Sequence, residues 1–304
     1  MGSIEPKDFD ALKEVGRASS EAIMHAASMV KPGAKLMDVA ESAESFIKGK
    51  GYGCAFPINI SINEQAAHYH PGVGDGKAFA NDDLVKIDFG AAREGMLGDG
   101  AITVDLSGRM GGLAGCAERA LESALGEVRH GVSVCDIGKA ISETITKEGF
   151  VPIRNLGGHG VGLHDLHAEI FIPNYDNGDF SVLEEGMVVA IEPFVTTGRG
   201  MVVDSDTCEI FSYSEDMPVR SADARKLLGY IRENNPSEPF AARWLSEVIP
   251  SRFSLYAALS ELTRAGALEQ HPALVEVSGA PVAQAEAQVI VTKEGYDVVT
   301  RAKG

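Results

Sequence analysis

The sequence predicts an α+β fold made of two similar αβ halves related by a pseudo-two-fold axis, with a helical subdomain inserted near its C-terminal end. Three observations predict this. Residues 30–52, "VKPGAKLMDVAESAESFIKGKGY", echo residues 128–150, "VRHGVSVCDIGKAISETITKEGF", at a constant offset of 98, with Val30, Gly33, Asp38, Ile47 and Gly51 identical in the second copy. The echo extends to "DLVKIDF" (83–89) and "GMVVAIEPF" (186–194), which sets Asp88 against Glu192. Finally, residues 209–271 change character, with amphipathic helical segments punctuated by proline inside a strand-rich region.

Taken in chain order, residues 8–30 and 36–49 carry apolar residues at helical spacing. The second run is preceded by a turn glycine, Gly33, and stopped by Gly51. Residues 111–128 and 134–148 repeat that pair. Apolar and β-branched runs predict strands at 54–62, 83–90, 97–106, 187–193 and 285–292. Within the insert, "SADARKLLGYIRENNP", "EPFAARWLSEVI" and "SLYAALSELTRAGAL" read as three helices, a winged-helix-like arrangement. The domain expectation is therefore a catalytic body of residues 1–208 and 272–304 interrupted by a helical subdomain at 209–271.

Composition narrows the function. The 304 residues carry a formal net charge of −17, which repels nucleic acid and anionic lipid in the absence of a basic patch. A DNA-reading role for the insert is disfavoured for the same reason, since residues 221–271 hold six basic and six acidic side chains. No apolar run reaches the ~18–20 residues of a membrane span, and the N-terminus has no apolar signal core. Met1-Gly2 hints at myristoylation, but Pro6 stands where Ser or Thr is wanted. Cys54, Cys116, Cys135 and Cys208 lack CxxC spacing and read as reduced thiols. These features predict a cytoplasmic, monomeric globular protein that binds neither nucleic acid nor membrane.

The chemistry centres on acids. In "KIDFGAAREGMLGDGA" (86–101), a turn centred between Arg93 and Glu94 would set Asp88 directly opposite Asp99, with Cβ atoms about 4.5–5.5 Å apart. Two ionised carboxylates so placed repel unless a proton or a cation lies between them. Taken alone, the pair is equally well read as exposed decoration of a hairpin. Glu192 in "VVAIEPF" and Glu286 in "VAQAEAQVIV" tilt the balance, because acids inside apolar strands are costly without partners. His159 lies between glycines in "NLGGHGVGLHDLHAE", followed by His164 and His167; glycines there let backbone and ligand approach closely. Asp88, Asp99, His159, Glu192 and Glu286 together make an oxygen-rich set suited to Mn(II), Fe(II), Co(II) or Zn(II) rather than copper. No GxSxG or Walker motif competes with it.

These segments resemble, in order, the motifs of type 2 methionine aminopeptidases, of archaeal rather than eukaryotic kind: "FPINISINEQAAHYHPG", "KIDFGAAREGMLGDGA", "GGHGVGLHDLHA", "AIEPFVTTGRG" and "VAQAEAQVIV". The resemblance covers nearly the whole chain, insert included. It implies the pita-bread (creatinase/aminopeptidase) fold and removal of the initiator methionine from nascent polypeptides whose second residue is small, at the ribosome. It also implies two divalent metals (Mn, Fe(II), Co or Zn) and a hydroxide between them as nucleophile. Asp88 would chelate one metal, Asp99 and Glu286 would bridge both, and His159 and Glu192 would hold the second. Glu192 would also shuttle the proton. His167 would meet the scissile carbonyl and His68 the scissile amide, while Phe56, Leu166, Phe194 and His271 would line the methionine pocket.

The sequence departs from the family pattern in several places. Gly100 follows Asp99 where threonine is usual, and Ala287-Gln288 follow Glu286 where His-Thr is usual. His271 takes the place of a tyrosine, and His70 that of a threonine. Each departure spares the proposed ligands. A prolidase-like, proline-directed peptidase on the same fold is the alternative enzyme; the long insertion that sets Glu286 94 positions after Glu192 argues against it. A non-catalytic binding relative is the other alternative, and retention of all five ligands argues against that.

Overall fold

The computed structural model describes residues 4–303; the Met1-Gly2 myristoylation motif lies outside them. Four helices form where the periodicity places them: α1 (Phe9–Met29), α2 (Leu36–Gly49), α3 (Gly111–Glu127) and α4 (Val134–Lys147). The repeat is visible in their boundaries, since α2 and α4 begin and end 98 residues apart. Gly33 and Gly131 turn the chain into these helices at φ 83° and 81°, and Gly51 and Gly149 turn it out at 84° and 82°. Each helix buries one face. Leu36, Val39, Ala40, Ala43 and Ile47 of α2 recur at helical spacing, as do Val134, Ile137, Ile141 and Ile145 of α4.

In the first half, α1 and α2 pack on an antiparallel sheet with the order Asn59–Ile62, Leu84–Asp88, Ala101–Asp105. In the second half, α3 and α4 share a core with strands of a five-stranded antiparallel sheet. Its order is Asp165–Pro173, Gly157–Gly162, Val188–Ile191, Ala287–Val291, Tyr296–Arg301. This sheet gathers strands from both sides of the insert, so the C-terminal residues complete the second half.

Two of the five expected strands, 54–62 and 97–106, are broken, and the other three form within their expected bounds but stop short where the chain passes to another sheet. The broken ones resolve into Gly53–Cys54 and Asn59–Ile62 and into Met96–Leu97 and Ala101–Asp105; Leu84–Asp88, Val188–Ile191 and Ala287–Val291 are single strands, with Ala91–Arg93, Phe194–Thr196 and Val282–Gln284 next to them in other sheets. Asp88 ends its strand, whereas Asp99, Glu192 and Glu286 lie in the gaps. Glu192 and Glu286 are therefore not inside regular strands. A regular strand turns alternate side chains to opposite faces. An interruption frees the acid from that alternation.

The expected register of the first hairpin also changes. Arg93 pairs with Met96, and Asp88 with Ala101 rather than Asp99. The turn is centred one residue later than expected, on Glu94 and Gly95, which have φ 53° and 79°. A two-residue hairpin turn with φ positive at both positions suits the right-handed strand twist, and glycine takes the second position without steric cost. Asp99 remains two positions from Asp88's partner, so both acids still reach one cavity.

The insert has its own core, with Leu227, Ile231, Leu255, Leu259 and Leu262 closing on Phe211 and Phe240. Helices form at α5 (Ala222–Asn234) and α6 (Arg252–Ala265), N-capped by Ser221 and Ser251. The middle segment, expected as a helix, is instead a strand, Phe240–Ala241, running into a 3-10 helix, Ala242–Glu247. Its backbone is claimed by a neighbour: Ile210 pairs with Ala241, Phe211 with Phe240, and Ala242 N–H donates to Glu209 O. Leu268–His271 pairs on the other side of Ile210–Tyr213 and completes a three-stranded sheet. The insert docks on the body through a buried ion pair, Arg243 Nη2 to Glu44 Oε1 at 2.5 Å. Trp244 Nε1 donates to Glu44 Oε2 at 3.0 Å.

Candidate active site

The strand interruptions converge on a cavity of about 330 Å³ between the two halves, at the lower end of the range for small-ligand sites. Asp88, Asp99, His159, Glu192 and Glu286 lie at one end. His68, His167 and His271 occupy its wall with Phe56, Leu166 and Phe194. All eleven residues singled out from the sequence thus line one cavity. Asp99, His159 and Glu286 are buried and offer ligand atoms within 4.8 Å of one another. His159 Nε2 is 3.5 Å from Asp99 Oδ2 and 3.7 Å from Glu192 Oε1.

Burial holds these groups away from their charged forms. Asp88 is pushed up to about 6 by burial, which outweighs hydrogen bonds from Gln284 and Asn59. Asp99, Glu192 and Glu286 are each raised well above the usual carboxylate range, first by burial and then by the neighbouring acids. His159 is depressed to about 3 by burial and His167, and presents a neutral imidazole. Four buried carboxylates crowded together cannot all ionise without a counter-charge. Asp88 Oδ1 and Glu286 Oε2 are buried and accept no hydrogen bond among the described residues. Orphaned carboxylate oxygens and a neutral imidazole, with Asp99, His159 and Glu286 grouped together, are chemically suited to hold a divalent cation.

Two amides that the sequence reading missed organise the acids. Gln284 Nε2 donates to Asp88 Oδ2 at 3.4 Å and to Glu192 Oε2 at 3.2 Å, tying together the two acids that the repeat made equivalent. Asn59, opposite Asp88 in register, donates to Asp88 Oδ2 at 3.4 Å. The available signal was a glutamine in an apolar run, "VAQAEAQVIV", where a buried amide requires partners. The glycines around His159 work differently from the expectation. A Cβ on Gly158 would lie 2.2 Å from Ala190 O, so that residue accommodates the neighbouring strand rather than a ligand.

The histidine wall is neutral as well. Burial, with His271 and His167 nearby, depresses His68 to about 4, and burial also lowers His167 and His271. A neutral imidazole keeps one donor and one acceptor nitrogen. His68 has φ 63°, a left-handed conformation that histidine tolerates better than most residues. His271 Nε2 lies 2.7 Å from Ser212 Oγ, which fixes its ring at the border with the insert. Ile210 and Pro239 of the insert reach the cavity too. His70 is not part of it. That residue is buried with Nδ1 2.7 Å from Ile58 O, and its Nε2 accepts from Arg243 Nε at 2.8 Å, so it supports the docked insert. His164 is also outside the cavity and pairs with Glu238 at 3.1 Å.

Comparison with known proteins agrees with this geometry. Residues 10–212 match the model of metallopeptidase family M24. The methionine aminopeptidase of Thermococcus kodakarensis is 44% identical over 292 residues, covering 96% of this chain and 99% of that protein. Among solved structures, a thermophilic Arx1 superposes with a TM-score of 0.87 at 16% identity, over 99% of this chain and 93% of the other. The methionine aminopeptidase of Thermotoga maritima superposes with a TM-score of 0.72 at 24% identity, over 98% of each chain. These structural likenesses establish the pita-bread fold. The chain belongs to metallopeptidase family M24, among the methionine aminopeptidases.

Proposed function

We propose that this protein is a methionyl aminopeptidase that removes the initiator methionine from nascent polypeptides whose second residue is small, acting in the cytoplasm on chains emerging from the ribosome. The observation that carries the reading is one cavity lined by four carboxylates and His159, groups of the kind that ligate metals, and by the apolar side chains of Phe56, Leu166 and Phe194. An unbranched thioether suits such a wall.

Asp88, Asp99, His159, Glu192 and Glu286 would hold two divalent cations. Bound there, such cations lower the pKa of water toward neutrality and polarise a carbonyl. The protein's own groups do the rest. Glu192 would take the proton of the attacking water and pass it to the departing amine. His167 stands 4.4 Å, ring to ring, from His159 and can donate to the scissile carbonyl oxygen as charge develops. His68, its ring 6.1 Å from that of His271, would meet the scissile amide. Water adds across the bond, and the products are methionine and the shortened chain.

The decisive assay incubates the metal-loaded protein with Met-Ala-Ser and measures free methionine, with Asp99→Asn and His68→Ala as controls and an Xaa-Pro peptide in parallel. Release from Met-Ala-Ser by the intact protein alone is expected. Cleavage of Xaa-Pro instead would make it proline-directed. No release from either peptide with Mn(II), Fe(II) or Co(II) would leave a non-catalytic binding protein.

A further inference from the structure

Two departures from the family pattern, Gly100 and Gln288, meet in the structure. Gln288 is fully buried on the strand Ala287–Val291. Its Nε2 donates to Leu97 O at 3.0 Å, and its Oε1 accepts from Asp99 N–H at 3.1 Å. One carboxamide therefore spans the gap between Met96–Leu97 and Ala101–Asp105 in which Asp99 lies. Backbone groups that a continuous ladder would have paired are satisfied by a side chain instead. The orientation of the amide is settled by its partners, since a carbonyl needs a donor and an N–H needs an acceptor.

Thr300 completes the arrangement. It lies directly across from Gln288, and its Oγ1 donates to the same Oε1 at 3.3 Å. Thr300 also fills the space beside Gly100. A Cβ on residue 100 would stand 2.6 Å from Thr300 Cγ2 and 3.3 Å from Ile23 Cδ1. The hydroxyl missing at position 100 is thus supplied from the facing strand, and room for it exists because residue 100 is glycine.

We infer that Gln288 is a positioning residue for Asp99, held in its working orientation by Thr300, and that Gly100, Gln288 and Thr300 form one matched set. This rests on reading Asp99 as a metal ligand. Fixing the Asp99 backbone at a break in the sheet fixes where its carboxylate can sit. A loosened Asp99 would no longer help hold two cations close together.

The test uses the full chain with Mn(II) as the probe, following binding by calorimetry and the metal pair by electron paramagnetic resonance. Gln288→Met, close in volume and without hydrogen bonds, is expected to weaken Mn(II) binding by about tenfold or more. It should also replace the spectrum of an exchange-coupled pair by that of isolated ions. Thr300→Val, which keeps the shape and removes one donor, is expected to move both readouts in the same direction by a few-fold, on the order of the lower end of such effects. A folded Gln288→Met protein that binds and couples Mn(II) like the parent overturns the inference. If Gln288→Met fails to fold, unchanged binding and coupling in Thr300→Val overturns it. Asp99→Asn separates the two levels of the reading. Coupling that survives Asp99→Asn removes Asp99 from the metal site, whereas coupling lost in Asp99→Asn and kept in Gln288→Met refutes only the positioning role.

Discussion

Replacing Arg243 by methionine should destabilise the protein out of proportion to the loss of one ion pair. Arg243 and Glu44 have side chains only 12% and 4% exposed, and their contact joins the insert to α2. Removing the guanidinium leaves Glu44 buried with Trp244 Nε1 as its remaining strong donor, and takes a donor from His70 as well. An orphaned buried charge of this kind costs about 3–5 kcal/mol. At about 2 °C per kcal/mol for a chain of this size, Tm should fall by roughly 6–10 °C. Glu44 is already raised above the usual range, because burial outweighs Arg243. A carboxyl raised in the native state contributes stability that is complete below its unfolded value near 4.5 and is lost as pH rises through the folded value. The deficit of Arg243→Met should therefore shrink as pH falls toward 5. Scanning calorimetry of Arg243→Met and of Glu44→Gln/Arg243→Met at two pH values checks this. The double variant retains the acceptor for Trp244 and carries no buried charge, so it should recover at least half of the loss. Equal Tm values for the single and double variants, at both pH values, would show that the buried charge is not the cause. Because the insert carries Ile210, Pro239 and His271 into the cavity, the single variant should also raise KM for a Met-peptide more than it lowers kcat.

Other predictions follow from the same geometry. Gly95→Ala meets both a φ of 79° and a Cβ position 2.4 Å from His164 Nε2, so chemical denaturation should show a loss of about 1–3 kcal/mol; no loss would mean the Glu94-Gly95 turn is not fixed. His167→Ala should lower kcat on Met-Ala-Ser by about 10²–10³ while KM changes less, and a change confined to KM would assign His167 to binding alone. Stripped of metal by chelation, the protein should unfold at lower temperature at pH 8 than at pH 5.5. Asp88 is raised from 3.8 to about 6, so its stabilising contribution is complete below 3.8 and is lost as pH rises through about 6. Adding Mn(II) at pH 8 should restore Tm, because cations that bind the native state alone stabilise it. A metal-free protein whose Tm is the same at both pH values would contradict the crowding of the acids.

The extent to which the site could be read in advance depended on which physical signals are local. The helices α1 to α4 were legible because an amphipathic face and a glycine stop are properties of one segment, and the pair α2 and α4 repeated them. The acids are legible for a different reason: a carboxylate in an apolar run is costly wherever it ends up, so Glu192 and Glu286 signal a shared partner before any geometry is known, and they draw the Asp88 and Asp99 pair in with them. What the runs concealed was the backbone. The sequence around Glu192 and Glu286 reads as continuous strand, because β-propensity reports burial and packing, and both persist across a break. Only the competition among sheets for backbone partners decides where pairing stops, and that competition is non-local. The same limit hid Gln288 and Thr300. A buried amide can be noticed in "VAQAEAQVIV", but not that its partners are the peptide groups on either side of Gly98, 190 residues away in sequence. The breaks are therefore part of the site rather than faults in the sheets. A regular ladder would satisfy its own backbone and send alternate side chains away from the cavity. An interrupted one frees Asp99, Glu192 and Glu286 to join Asp88 at the cavity and leaves peptide groups that side chains such as Gln288 must satisfy.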